Sequence, residues 1–90
     1  MLERQITVTN ASGLHARPAA MFVKAANKFT DTKIWVIKGT DERDAKSIVK
    51  VLTMGVTKGT TITLRADGPA EQQAVDSLVA LIESGLGEDH

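Results

Sequence analysis

The chain has 90 residues, of which 42% are hydrophobic and 24% are charged, values typical of one soluble globular domain spanning residues 1–90. Eleven basic residues balance eleven acidic ones, which argues against general binding to nucleic acids or membrane surfaces. The absence of cysteine excludes disulfides, thiol catalysis and cysteine-ligated metals.

Nothing in the sequence suggests a membrane segment or a metal centre. No apolar stretch approaches the roughly 20 residues of a membrane span, and residues 1–4 begin a strand rather than a signal sequence. We therefore expect a cytoplasmic protein. The only histidines are His15 and His90, and we expect the terminal one to be an expression-tag remnant. With no cysteine and no other histidine, we expect no metal site.

The first third of the chain predicts a strand followed by an amphipathic helix. Residues 5–9 alternate polar and apolar side chains, as a half-buried strand does. A helix is then expected to begin at His15, because apolar residues recur at helical spacing as far as Phe29. Its outer face carries a basic stripe formed by Arg17, Lys24 and Lys28. This stripe is either an ordinary solvated face or part of a binding surface.

Two further strands are predicted in the middle of the chain. Residues 33–37 are rich in β-branched and aromatic side chains, which favour a strand. Residues 38–40 predict a hairpin turn, and the polar residues 41–44 predict an edge strand. The pattern does not decide which face of the sheet Trp35 occupies, because alternation alone does not set the register.

A short second helix is predicted over residues 46–55. Ser47 is its candidate N-cap, and Gly55 is placed to end it. Of its apolar side chains, we expect Val51 and Met54 to face the core.

The last third predicts a strand over residues 60–66 and a helix over residues 69–84, ended by Gly85. The apolar face of this helix is expected to contain Ala74, Val75, Leu78, Leu81 and Ile82. The element order βαββαβα predicts an α+β fold with a four-stranded antiparallel sheet and three helices packed on one face.

Residues 13–20, Gly-Leu-His-Ala-Arg-Pro-Ala-Ala, combine a histidine with the start of a helix. Pro18 is tolerated in a first turn because the N–H it lacks would have no intrahelical partner there. The free N–H groups of that turn and the guanidinium of Arg17 place positive charge beside His15. A neutral imidazole is a nucleophile, so the motif predicts a nucleophile next to an anion site. A histidine at a helix start can also be a cap or a plain surface residue.

This motif, together with Lys46-Ser47-Ile48 and Gly55, resembles HPr, the histidine-containing phosphocarrier family of the bacterial phosphotransferase system. The resemblance covers essentially the whole chain and implies the family's open-faced β-sandwich, which agrees with the order predicted above. It also implies that His15 carries a phosphoryl group on Nδ1 and that Arg17 helps to hold the phosphate.

The resemblance implies partners as well. Enzyme I, charged by phosphoenolpyruvate, is the expected donor, and enzyme IIA is the expected acceptor. Such a carrier is phosphorylated stoichiometrically, so we expect no cofactor and no independent turnover.

Ser47 has two compatible interpretations. A helix N-cap of this kind stabilises a protein by about 1 kcal/mol. The resemblance implies in addition that the matching serine is phosphorylated by HPr kinase/phosphorylase in many bacteria. A phosphate there would add negative charge to the surface that partners contact.

We expect the first two helices to form a docking surface, and the resemblance implies that the partner proteins present acidic surfaces to it. A small apolar patch with a basic rim suits a transient complex of a monomeric carrier. The expected apolar centre is Ala16, Ala20, Met21, Ile48, Val49 and Leu52, and the expected basic rim is Arg17, Lys24 and Lys28.

The sequence leaves alternative functions open. The chain could be a regulatory HPr relative that acts through protein binding, and the sugar and nitrogen branches of the system both stay open. A nucleic-acid module is disfavoured by the neutral net charge and by having only three aromatic residues, Phe22, Phe29 and Trp35. An independent enzyme is disfavoured because no acid/base pair, metal cluster or glycine-rich nucleotide loop is present.

Overall fold

The computed structural model describes residues 1–86, so His90 and its expected origin lie outside the described residues. Seven elements follow one another in the predicted order: β1 Leu2–Thr7, α1 Ala16–Ala26, β2 Lys33–Lys38, β3 Asp41–Asp44, α2 Ile48–Leu52, β4 Thr61–Asp67 and α3 Glu71–Glu83. None of the three helices within residues 1–86 has both the length and the apolar composition needed to cross a bilayer.

The strands form one antiparallel sheet in the order β1-β4-β2-β3, which confirms the predicted α+β fold. The polar strand β3 lies at an edge, as predicted. Alternate residues of the two central strands are buried beneath the helices: Ile34, Val36, Ile62, Leu64 and Ala66. Together with the apolar faces of the three helices, they form one core.

Trp35 lies on the open face of the sheet. Both of its neighbours in β2 are buried under the helices, so strand alternation turns the half-buried indole to the other side. Its cross-strand partner on β4 is Arg65, which forms ion pairs with Glu3 on β1 and Glu42 on β3. The question that the sequence pattern left open is therefore answered by the register of β2 against β4.

Helix α1 is shorter than predicted. It ends at Ala26 rather than at Phe29, and the side-chain Nδ2 of Asn27 donates a hydrogen bond to the Val23 carbonyl oxygen at 2.9 Å. The next two backbone N–H groups reach back only three residues, each at 3.2 Å, so the chain tightens into a turn. Lys28 lies in that turn, and the prediction of a three-residue stripe along one helix is wrong at its last member.

Other boundaries shift as well. Strand β4 covers Thr61–Asp67 rather than residues 60–66, and β2 extends one residue further than predicted, to Lys38. Strand β1 covers Leu2–Thr7 rather than residues 5–9, although Val8 stays fully buried and keeps backbone hydrogen bonds to the chain just before β4. Helix α3 begins at Glu71 rather than at residue 69.

Helix α3 ends at Glu83, one residue earlier than predicted, and Gly85 follows it as the predicted stop. Gly85 has φ +89°, and its N–H donates to the Ile82 carbonyl oxygen at 3.0 Å. The N–H of Leu86 donates to the Leu81 carbonyl oxygen at 3.1 Å, which completes the motif. Val79 belongs to the buried face, whereas Leu81, predicted to be buried, is only partly covered at the end of the helix.

Candidate functional site

The loop that leads into α1 is held by Asn10. This side chain is fully buried, and its Nδ2 donates to the Gly13 carbonyl oxygen at 2.8 Å. In return, the Gly13 N–H donates to the Asn10 carbonyl oxygen at 3.2 Å. The paired hydrogen bonds close residues 10–13 into a fixed turn, so the chain enters α1 from a defined direction.

The loop that contains Val56 and Thr57 packs against the same turn. Gly13 has φ +60°, and a Cβ atom there would lie 2.4 Å from the Val56 carbonyl oxygen and 2.7 Å from the Thr57 Cα. Leu14, which is 2% exposed, donates its N–H to the same Val56 oxygen at 3.0 Å. Only glycine combines this backbone conformation with so close an approach. The backbone immediately before His15 is therefore anchored to the core.

His15 is the N-cap of α1 and not its first helical residue, which corrects the prediction by one position. Its backbone is extended, with φ −80° and ψ −173°, and its carbonyl oxygen accepts the Ala19 N–H at 2.7 Å. Its side chain makes no capping hydrogen bond and is exposed. The imidazole is thus presented to solvent from a rigid backbone position.

The first turn of α1, which follows His15, has backbone donors without a partner inside the helix. The backbone N–H groups of Ala16 and Arg17 have no acceptor within the helix, and Pro18 has no N–H to leave unpaired. No acidic residue lies in the turn, and Arg17 is exposed and forms no ion pair with any other residue of the range 1–86. The start of α1 therefore has free capacity for an anion.

The rest of α1 separates an inner apolar face from an outer basic one. Pro18, Ala19, Phe22, Val23 and Ala26 are buried. On the outer side Ala16, Ala20 and Lys24 are exposed, and Met21 is partly exposed.

Helix α2 begins at Ser47, the N-cap. The Ser47 Oγ accepts the Lys50 N–H at 3.5 Å, a long hydrogen bond, and the Ser47 N–H donates to the Asp44 carbonyl oxygen at 3.2 Å. The hydroxyl is on a partly exposed residue. The helix is shorter than the predicted 46–55, since Thr53 is already its C-cap.

The outer side of α2 is apolar. Val51 and Met54 are buried, as predicted, whereas Ile48, Val49 and Leu52 are exposed to 39%, 65% and 38%. Helix α2 packs against α1, so the two helices are neighbours on the sheet. An exposed apolar group of this kind indicates a contact surface.

Charge is distributed unevenly over this neutral chain. No acidic residue occurs in residues 4–30 or 45–66, which contain α1, α2 and the loops beside them. These two segments contain eight basic residues: Arg4, Arg17, Lys24, Lys28, Lys46, Lys50, Lys58 and Arg65. The segments that carry α1 and α2 are therefore basic, although the sequence as a whole has no net charge.

The shifted pKa values belong to groups remote from α1. A hydrogen bond from the N-terminal ammonium, followed by one from the Gly68 N–H, lowers the pKa of the Glu71 carboxyl. Glu71 in turn raises the pKa of that ammonium. On the open face, hydrogen bonding to Glu3 is the main cause that raises the pKa of Arg65. These contacts join structural elements and do not involve His15.

The described residues offer little to a metal or a small cofactor. Within residues 1–86 no group of three or more His, Asp or Glu side chains could hold a metal ion. A cleft of about 210 Å³ lies where β2 and β3 separate, below the roughly 300 Å³ at which ligand pockets usually begin. Its lining residues, none of them a predicted site residue, are Lys33, Ile34, Trp35, Asp44 and Lys46.

Sequence reasoning missed the polar residues that fix the two helices. Asn10, three residues before Gly13, is not among the predicted site residues, although an Asn at that spacing is typical of a side chain that closes a turn. Lys38 and Arg43 were assigned to a polar hairpin. The register of β3 against β2 would have identified Arg43. It pairs with the buried Val36, so its side chain lies on the same face of the sheet as the helices.

Comparison with known proteins gives the family. The family model described as "PTS HPr component phosphorylation site" matches residues 2–84. The chain is 46% identical to phosphocarrier protein HPr of Vibrio cholerae over 83 residues, which are 92% of this chain and 96% of that protein. It is 43% identical to the HPr-like protein Crh of Halalkalibacterium halodurans, covering 92% of this chain and 98% of that one.

A solved structure agrees in both fold and sequence. The crystal structure of HPr-C-His from Thermoanaerobacter tengcongensis superposes with a TM-score of 0.95 and 46% identity, covering 100% of both chains. The match includes the segment with the exposed His15 at the start of α1. The chain belongs to the HPr family, the phosphocarrier component of the phosphotransferase system.

Proposed function

We propose that His15 accepts a phosphoryl group from phosphorylated enzyme I, whose ultimate donor is phosphoenolpyruvate, and passes it to an enzyme IIA. The observation that supports this most directly is the exposed imidazole at the N-cap of α1, beside Arg17, which forms no ion pair within residues 1–86. Membership of the HPr family supports the same conclusion.

The chemistry needs only a positioned nucleophile and an electrostatic environment. The lone pair of a neutral Nδ1 attacks phosphorus while the bond between phosphorus and the enzyme I carrier atom breaks. In the second transfer, the bond from phosphorus to Nδ1 breaks as the enzyme IIA acceptor attacks, and neutral imidazole is restored. Such transfers depend mainly on alignment and charge stabilisation, which two docked proteins supply together.

Two features of this chain stabilise the phosphorylated state. The free N–H groups of Ala16 and Arg17 and the Arg17 guanidinium all favour negative charge at the start of α1. Because the site is open to solvent, these interactions are weakened by water. This suits a carrier, which must release the group again.

The test is phosphorylation by phosphoenolpyruvate and purified enzyme I. We expect a mass gain of one phosphoryl group that is labile in acid and stable in alkali, and its loss when an enzyme IIA is added. His15→Ala is the matched control, because the exposed side chain makes no capping hydrogen bond and its removal leaves the fold intact. Equal uptake by His15→Ala would disprove the assignment.

We further propose that the docking surface consists of exposed side chains on α1 and α2 with the basic residues around them. The apolar part is Ala16, Ala20, Met21, Ile48, Val49 and Leu52, and the basic part is Arg17, Lys24 and Lys28. The absence of acidic residues from residues 4–30 and 45–66 supports an acidic partner surface. If so, raising ionic strength weakens the complexes, since a Debye length of about 10 Å at 0.1 M shortens as salt increases.

Ser47 is proposed as a regulatory site for HPr kinase/phosphorylase. Its hydroxyl is partly exposed and only weakly engaged, at 3.5 Å from the Lys50 nitrogen. A phosphate would place negative charge next to the apolar docking residues and oppose an acidic partner. Incubation with ATP and the kinase should label the parent and not Ser47→Ala. Equal labelling of both proteins would exclude Ser47 as the acceptor.

A regulatory role is the second candidate function, because identity to the HPr-like protein Crh is almost as high as identity to HPr. A regulatory role predicts that the chain binds a protein target and delivers no phosphate to any enzyme IIA. Phosphate that is taken up from enzyme I but passed on to none of the sugar or nitrogen enzyme IIA proteins of the host would favour it.

We propose that the carrier acts as a cytoplasmic monomer. Relatives of this chain have been crystallised as dimers, one of them with exchanged segments. Sedimentation at several protein concentrations checks this directly, and a constant dimer mass would overturn it.

A further inference from the structure

Helix α2 is too short to hold its own position. It has five residues and only one of them, Val51, is buried. Helices shorter than about 12 residues are marginal in water, so the tilt of α2 depends on contacts from outside it. Its exposed side chains supply half of the apolar docking surface proposed above, which makes those contacts relevant to partner binding.

Arg43 on β3 makes the most extensive of these contacts. Its Nη1 donates to the Lys50 carbonyl oxygen at 3.0 Å and to the Thr53 Oγ1 at 2.9 Å. The Lys50 carbonyl is one of the last four in the helix, which have no partner inside it. A cation at that end also complements the helix dipole. Arg43 therefore joins the sheet edge to the C-terminal end of α2.

The guanidinium is itself held in place. Its Nε donates to both carboxylate oxygens of Asp41, at 3.0 and 3.1 Å, and the Arg43 side chain is 29% exposed. Lys38, on the neighbouring strand, donates to the Gly55 carbonyl oxygen at 3.2 Å. At the opposite end of the helix, Asp44 accepts the Lys46 N–H at 2.9 Å. The β2–β3 hairpin thus contacts α2 at both ends.

We propose that Arg43, oriented by Asp41, is a positioning residue for partner docking. It fixes the tilt of α2 and hence the place of Ile48, Val49 and Leu52 relative to α1, which carries His15. This inference rests on the proposed function. Because Arg43 contacts neither the imidazole nor the start of α1, its loss weakens the encounter with enzyme I and leaves the chemical step unchanged.

The experiment compares Arg43→Ala with Arg65→Ala in phosphoryl transfer from phosphorylated enzyme I. Both variants remove one ion-paired arginine and the same charge, but Arg65 lies on the open face of the sheet, away from α2. We expect Arg43→Ala to raise KM about threefold to tenfold with kcat unchanged, the signature of lost binding. Arg65→Ala should leave both constants close to those of the parent.

Two further measurements separate positioning from general stability. Arg43→Lys keeps the charge but cannot contact Asp41 through one nitrogen and α2 through another, so it should restore KM only in part. Amide hydrogen exchange of the free protein should be faster at residues 51–54 in Arg43→Ala than in Arg65→Ala. An unchanged KM in Arg43→Ala, or an equal rise in Arg65→Ala, would overturn the proposal.

The exchange experiment needs no partner. If the parent accepts no phosphate from enzyme I, the proposed function fails, while faster exchange confined to residues 51–54 still identifies Arg43 as the residue that holds α2. If phosphate transfer is normal and exchange is unchanged, the positioning role alone is wrong.

Discussion

Gly13 and Val56 approach each other so closely that a Cβ atom at position 13 would meet the Val56 carbonyl oxygen at 2.4 Å. The same carbonyl accepts the N–H of Leu14, the residue before His15. The position of the phosphoryl acceptor proposed above thus depends on contact between two loops that lie far apart in sequence.

Gly13→Ala should therefore destabilise the protein and slow phosphorylation. The positive φ alone costs about 1 kcal/mol, and displacement of the Val56 loop should bring the total loss in unfolding free energy to roughly 2–3 kcal/mol. Gly39→Ala is the control, since Gly39 has φ +63° with no atom within 4 Å of its added Cβ. Urea denaturation of both variants provides the measurement. Equal losses would show that the close approach has no energetic consequence.

Arg17→Ala should slow phosphoryl transfer without affecting the fold. The side chain is exposed and forms no ion pair within residues 1–86, so we expect the unfolding free energy to change by less than about 0.5 kcal/mol. Loss of its charge beside the phosphate should lower kcat roughly 10- to 100-fold. Lys24→Ala, an exposed cation farther along the same helix, should affect mainly KM. A large loss of stability in Arg17→Ala would mean that the residue is chiefly structural.

Val49→Asp tests the docking surface. Val49 is 65% exposed, so the substitution should hardly change the melting temperature, but it places a negative charge where an acidic partner is proposed to bind. We expect KM for enzyme I to rise about tenfold or more. Gln73→Asp, on an exposed position of α3, controls for the charge. Similar kinetics in the two variants would place the docking surface elsewhere.

Glu71→Gln should change how stability depends on pH. The folded-state pKa of Glu71 is lowered, so its contribution is complete above 4.5 and is lost as pH falls through the folded value. The pKa of the N-terminal ammonium is raised, so its contribution is complete below 8.0 and is lost as pH rises through the folded value.

The stability difference between the parent and Glu71→Gln should therefore be largest between pH 4.5 and pH 8.0 and should shrink on both sides. Thermal unfolding from pH 3 to pH 10 measures it. Glu83→Gln, at the far end of the same helix, is the control. A difference that is constant over the whole range would mean that the contact with the ammonium contributes nothing.

The element order and the apolar face of each strand could be predicted from the sequence because both follow from short-range periodicity. The end of α1 could not, since residues 27–29 continue the helical pattern while Asn27 closes the helix through its own amide. The face of Trp35 also could not, because it depends on the register of β2 against β4.

The chemical motif was accessible from the sequence because His15, Arg17 and Pro18 are neighbours in the chain. Contacts made between separate elements were not, such as those of the Val56 loop with Gly13 and Leu14 and those of β3 with α2. Arg43 contacts α2 through Lys50 and Thr53, and nothing in a run of four polar residues specifies that contact.

The separation of charge has a consequence beyond partner choice. Acidic residues are absent from the segments that carry α1 and α2, so we expect this neutral chain to have a more positive side and a more negative side. In the field of an acidic protein such a molecule experiences little net pull but a strong torque. The molecule should therefore rotate as it approaches the partner, so that the side carrying His15 faces the partner at contact. A larger share of encounters would then be productive.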